Sequence, residues 1–161
     1  MIYTEQDLER VVHEYQDALM RYCTGLLGSQ QDAQDAVQTT FIKAWEKRQS
    51  LRNDKALKSW LYRIAYRASI DLLRRRPAET ELSDDLEAPE KDSGLSEALE
   101  EALNALKPLD RAILEERLLE EMSYEEISRI HRLPQTTIRA RVSRAKKRLR
   151  ILLKETKEEV S

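Results

Sequence analysis

Arg139, Arg141, Arg144, Lys146, Lys147, Arg148 and Arg150 all fall within "LPQTTIRARVSRAKKRLR" (133–150), a stretch without a single acid. Cations at this density bind a polyanion by pairing with its phosphates and displacing the counterions condensed on it. At helical spacing, Ile138, Val142, Ala145, Leu149 and Leu152 fall in a stripe about 80° wide, and the seven cations lie off that stripe. One face therefore packs on its own domain and the remainder offers positive charge. No acid stands at i±4 within the stretch to neutralise it, so duplex DNA is the fitting partner.

The residues just before this helix decide how it is presented. In "SYEEISRI" (123–130), Ser123 and Glu126 have capping-box spacing, and Ile127 and Ile130 take the buried side. The break "HRLP" (131–134) follows. Two short helices across a tight turn, the second basic, make a helix-turn-helix, whose second helix meets base edges with its N-terminal part. That places Gln135, Thr136, Thr137, Arg139, Ala140 and Ser143 against bases, with Arg139 able to donate two hydrogen bonds to a guanine. Arg141, Arg144 and Lys147 are expected on phosphates, where they set register.

Other chemistries find no support in the residues. The chain has no Gly-rich phosphate loop, nucleophile elbow or paired-carboxylate motif. His13 and His131 have no metal-ligand spacing, and His131 is expected simply to sit in the turn. Cys23 is the one cysteine, read as a small buried apolar group. The expectation is no catalytic residue, no metal, no cofactor and no small-molecule substrate: not an enzyme. No stretch approaches the ~20 apolar residues of a membrane span, so direct membrane insertion is not expected. The acids of "MIYTEQDLER" are unlike a signal peptide, and the lone cysteine fits a reducing, cytoplasmic setting.

Three glycines and four prolines in 161 residues, 36% of them charged, leave little punctuation for an all-β chain. Leu8, Val12, Tyr15, Leu19 and Tyr22 mark one face of a first helix, with Thr4 as its cap and Gly25 or Gly28 as its end. Ala33, Val37, Phe41, Ala44 and Trp45 mark a second, starting near Asp32. Leu57, Leu61, Ile64, Ala68 and Leu72 mark a third, which Pro77 ends. The stretch 76–94, "RPAETELSDDLEAPEKDSG", has too few apolar side chains to offset its ordering entropy and reads as a mobile linker. Beyond it, Ala98, Leu99, Ala102, Leu103 and Leu106 indicate a helix stopping at Pro108, and Ile113, Leu114 and Leu118 another.

The fold class is therefore all-α. Two small helical domains, 1–76 and 97–161, are joined by a flexible acidic linker, 77–96. The net charge of −2 conceals blocks: residues 129–154 carry ten basic side chains and no acid, while residues 97–128 carry ten acids and three bases. That asymmetry speaks about partners rather than fold.

The segments "DAQDAVQTTFIKAW" (32–45) and "SLRNDKALKSWLYRIAYRASIDLLRRR" (50–76) resemble region 2 of bacterial extracytoplasmic-function (ECF) sigma factors. Residues 103–150, with "TIRARVSRA" near their end, resemble region 4 of the same family. The resemblance implies a subunit that binds core RNA polymerase, directs it to a promoter and helps melt the start region. It assigns region 4 to the −35 element and residues 50–76 to the −10 element. For the −10 element it names the loop residues Leu51, Arg52, Asn53, Asp54 and Lys55, followed by Arg63, Tyr66, Arg67, Arg74 and Arg75. Trp60 and Leu61 are read as core. It further implies that Asp32, Asp35, Gln38, Thr39 and Ile42 dock on the polymerase β′ clamp, with the β flap as a second contact. Asp32 and Asp35 are equally first-turn acids favoured by the helix dipole. An anti-sigma factor, often membrane-anchored in the family, is the implied regulator.

Some residues depart from the family pattern. Thr39 stands where glutamate is frequent, Leu51 where phenylalanine is common and Arg67 where asparagine is. Thr136 replaces a glycine and suits an N-cap, and Ala140 replaces a serine. The family's promoter sequence therefore does not carry over. The acids Asp84, Asp85 and Glu87 raise the further expectation that the linker mimics nucleic acid in the polymerase RNA-exit path, or screens the basic helix. Two other functions compete: a stand-alone helix-turn-helix regulator and a nucleic-acid-modifying enzyme.

Overall fold

The computed structural model describes residue 2, residues 4–77 and residues 97–160, with 156–160 as backbone. Apart from Pro77, the acidic stretch 77–96, including Asp84, Asp85 and Glu87, lies outside the described residues. The chain divides into two compact units, Met1–Pro89 and Glu90–Ser161. Every described element is helical.

The first unit is built on three helices, α1 (Glu5–Leu27), α2 (Gln30–Glu46) and α3 (Leu57–Arg75). A reciprocal capping box starts α1: Asp7 N–H donates to Thr4 Oγ1 (3.1 Å), and Thr4 N–H donates to the Asp7 carboxylate (3.0 Å). The helix ends at Gly28 rather than Gly25. Gly28 takes φ +67°, and its N–H donates to the Thr24 carbonyl at 2.8 Å. Ser29 then caps α2 by accepting from Asp32 N–H (3.2 Å). The core of the unit holds Leu19, Tyr22, Cys23, Leu27, Ala33, Ala36, Ala44, Leu61 and Tyr62. Tyr22 and Tyr62 meet edge to face with centroids 4.8 Å apart. Pro77 stops α3, and Arg76 folds back on the α1–α2 corner, donating to the Leu27 carbonyl (2.6 Å) and to Asp32 Oδ2 (2.7 Å).

The second unit comprises α4 (Glu97–Asn104), α5 (Pro108–Leu114), a π turn (Glu115–Leu119), α6 (Tyr124–His131) and α7 (Gln135–Val160). Its core is Ala112, Ile113, Leu114, Met122, Ile127, Ile130 and the α7 stripe Ile138, Val142, Ala145 and Leu149. So the expected packing face of the basic helix is buried, with Leu152 half-buried at its end. Three expectations need correcting. The helix on Ala98–Leu103 closes at Asn104, and Pro108 opens the next helix instead, at the position where its missing N–H costs nothing. Leu118 is 47% exposed rather than core. The π turn is the reason: Glu120 N–H reaches the Glu115 carbonyl (3.0 Å), widening the coil and rotating Leu118 outward. Thr136 is no N-cap either, since Ile138 N–H bonds the Pro134 carbonyl (3.0 Å) and Thr136 lies inside the first turn.

Candidate nucleic-acid and polymerase interfaces

Within the second unit, local chemistry fixes the turn between α6 and α7. Ser123 Oγ accepts from Glu126 N–H (3.1 Å), and Glu126 returns a bond to Ser123 N–H (3.0 Å), closing the expected capping box. Arg132 ends α6 in the left-handed region at φ +54°, its N–H donating to the Ser128 carbonyl. Ser128 Oγ–H then donates to the Leu133 carbonyl (2.5 Å). Beyond the turn, α7 exposes Gln135, Thr136, Arg139, Ala140, Ser143, Arg144 and Lys147, with Thr137 half-buried. These form one outward surface opposite the buried stripe. Arg141 is the exception, half-buried and paired with Asp110 of α5 at 3.1 Å.

Two features of this unit were not anticipated from the sequence. Beside the turn, both carboxylate oxygens of Glu116 lie 2.8 and 2.9 Å from His131 Nε2, and both side chains are buried. His131 thus braces the turn from within. Next to it, Arg111 is buried and fully engaged: Nε to Glu115 (2.9 Å), one terminal nitrogen to Asn104 (2.5 Å) and the other to Glu100 (3.2 Å). Burial pushes the Glu115 carboxyl up to about 7, against the opposing pull of the Arg111 charge and hydrogen bond. The other feature is aromatic. Tyr124 lies within cation–π distance of Arg117 (4.2 Å) and Arg139 (5.0 Å). The signal for the buried ions was the pair Arg111 and Glu115 flanking an unbroken apolar run, one helical turn apart.

In the first unit, the segment between α2 and α3 is structured by two 3₁₀ turns, Arg48–Ser50 and Asp54–Ala56. Leu51 between them is only 2% exposed, so it anchors the segment while Arg52, Asn53, Asp54 and Lys55 stand exposed around it. Asn53 Oδ1 caps the second turn by accepting from Ala56 N–H (3.0 Å). Leu61 is core as expected, whereas Trp60 is half-buried and donates its indole N–H to Ser50 Oγ (3.2 Å). Along α3, Arg63, Arg67 and Arg74 share one side by helical spacing. Arg63 and Tyr66 are half-buried, while Arg67, Arg74 and Arg75 are exposed.

On α2, Asp35 and Gln38 are exposed, Thr39 is half-buried and Ile42 is 52% exposed, unusual for so apolar a side chain. A groove of about 590 Å³ runs between α1 and α2, lined by Leu8, Val12, Met20, Phe41, Ile42 and Trp45, with Gln38 among its polar walls. It brings Gln38 and Ile42 together. Asp32, Asp35 and Thr39 stand outside it, Asp32 being held by Arg76. The face marked by Leu8 and Val12 thus serves the groove as well as the core.

The Sigma-70 region 2 family matches residues 11–78, and Sigma-70 region 4 matches residues 96–149. RNA polymerase sigma factor SigV of Bacillus subtilis is 32% identical over 98% of this chain and 96% of its own length. The ECF RNA polymerase sigma-E factor of Haemophilus influenzae is 32% identical over 84% of this chain and 82% of its own. This chain belongs to the ECF RNA polymerase sigma factors. Among solved structures, the sigma factor RpoE of Bartonella quintana, in complex with the anti-sigma factor NepR, superposes with TM-score 0.77 at 30% identity. That match covers 92% of this ECF sigma factor and 98% of RpoE. CnrH, in complex with the cytosolic domain of CnrY, shares the fold at TM-score 0.73 and 22% identity, over 94% of this chain and 90% of its own. Membership supports the sigma reading over the stand-alone regulator. No helix among the described residues is long and apolar enough to cross a membrane.

Proposed function

We propose that this sigma factor reads two separated promoter elements with its two units while bound to core RNA polymerase, contributing no catalytic group of its own. Residues 1–76 act as region 2, residues 97–161 as region 4, and residues 77–96 as the tether between them. The single observation that carries this is the outward face of α7, where Gln135, Thr136, Arg139, Ser143, Arg144 and Lys147 stand exposed over a fully packed stripe. Arg139 reads a base of the −35 element, and Arg144 and Lys147 hold its phosphates. Arg141 contributes less, because Asp110 already engages it.

For the −10 element, Arg63, Arg67 and Arg74 track the backbone along α3, and the segment held by Leu51 presents Arg52 to Lys55 to an opened strand. The apolar groove beside Gln38 and Ile42 receives the β′ clamp, with Asp35 and Thr39 flanking, and region 4 meets the β flap. By likeness to RpoE, solved in complex with the anti-sigma factor NepR, this protein is held by an anti-sigma factor. The protein then works in the cytoplasm, and is held at the membrane wherever that partner is anchored there.

Reconstitution with core polymerase, followed by genome-wide mapping of transcripts that depend on the added protein, tests the assignment. Replacing Gln38 and Ile42 together by alanine should weaken core binding with little shift in thermal unfolding, since Gln38 is exposed and Ile42 is 52% exposed. Tight binding of promoter duplex by the free protein, with core polymerase left inactive in its presence, would refute it.

A further inference from the structure

We propose that Tyr124 is a positioning residue for promoter specificity: its ring holds Arg139 ready for one base without itself touching that base. The inference rests on the assignment of Arg139 to a base edge. Tyr124 is the first residue of α6, so the Ser123–Glu126 capping box fixes its backbone, with bonds of 3.1 and 3.0 Å. The ring is half-buried. Arg117 of the π turn lies 4.2 Å from its centroid, and one Arg117 terminal nitrogen donates to the Met122 carbonyl at 2.9 Å. Arg117 is therefore tied to the backbone beside the ring, and the ring in turn has a fixed neighbour.

Arg139 comes to 5.0 Å from the same centroid, yet it is exposed and, among the described residues, joins no ion pair. Its guanidinium is therefore not engaged by an acid, in contrast to that of Arg141, which Asp110 engages. A long side chain that grips a base loses its rotational freedom at that moment. A ring that narrows its conformers beforehand lowers that loss and favours the bidentate geometry over looser contacts. Arg144 and Lys147 have no such ring contact among the described residues, so the effect is confined to the one base pair read by Arg139.

The test uses holoenzyme assembled from full-length variants and a promoter library randomised through the upstream element. Tyr124→Leu should lower the preference at a single base pair roughly two- to fivefold, the range of an exposed cation–π contact. Tyr124→Phe, which keeps the ring, should preserve it. The affected position should be the one relaxed by Arg139→Ala, and Tyr124→Leu should add nothing once Arg139 is alanine. If Arg139→Ala leaves every preference intact, the base assignment itself fails. If Arg139→Ala relaxes one position and Tyr124→Leu relaxes none, the positioning role fails. A uniform loss of binding at all positions in both Tyr124→Leu and Tyr124→Met, with no selective change at that position, also overturns it. Tyr124→Met, read in the same way, covers the case in which leucine destabilises the unit.

Discussion

Replacing Glu115 by glutamine should remove a pH dependence that the second unit owes to one buried carboxyl. Glu115 faces Arg111 on its own helical run, Glu100 across on α4, and Glu116 beside it, with His131 of α6 bonded to Glu116. Burial lifts its pKa from 4.5 to about 7, so the folded chain keeps a proton that the unfolded chain releases between those values. Below the lower value both states are protonated and the site costs nothing extra. As pH rises through the window the unfolded state is favoured, and above about 7 the loss is complete. At about 1.4 kcal/mol per unit, the site should make the unit about 2 to 3 kcal/mol more stable near pH 5 than near pH 8. Urea unfolding of the full-length protein, followed by NMR at Ile127, Ile138 and Val142, measures this directly. Glu115→Gln should lose that difference, while signals from Leu19 and Leu61 in the first unit should respond to neither pH nor substitution through this site. If wild type and variant change equally between the two pH values, Glu115 does not titrate as its burial requires.

Two further substitutions probe the scaffold and the interface. Gly28→Ala should destabilise the first unit by about 1 kcal/mol through its left-handed backbone alone, because an added Cβ meets nothing within 4 Å. Trp45 and Trp60 both lie in that unit, so thermal unfolding read by their fluorescence reports it, and an unchanged midpoint would contradict the strain argument. Arg144→Ala should flatten the salt dependence of holoenzyme binding to promoter DNA by about one unit of log–log slope. Arg141→Ala should change that slope less, since Asp110 already neutralises part of its charge; equal effects would place both on phosphates.

What could be read from the chain was what neighbouring residues decide among themselves. Thr4, the Ser123–Glu126 pair and Pro77 fix helix ends through local hydrogen bonds or their absence, and each acts as predicted, with Asp7 completing a box at Thr4 that had not been expected. The α7 stripe was equally legible because a regular helix converts spacing directly into a face. Leu118 was misplaced because periodicity assumes a uniform coil, and the π turn breaks that uniformity. Thr136 was misplaced by two residues because its hydroxyl suits a cap, whereas the turn geometry gave the role to Pro134. His131 was read as an idle turn residue. Its partner Glu116 lies fifteen positions earlier, a distance over which spacing says nothing. The groove beside Ile42 needed α1 and α2 in place before it existed at all.

The wide coil at Glu115–Leu119 carries one more implication. A helix that opens for a single turn holds slack, so losing a residue there lets the coil tighten to ordinary pitch. Because that slack lies before Ser123, the capped start of α6 and the helix after it stay phased with one another. The same deletion inside α7 would turn every later side chain by about 100° and carry cations underneath the domain. Tolerance of altered length is thereby confined to the support, and the reading surface keeps its timing.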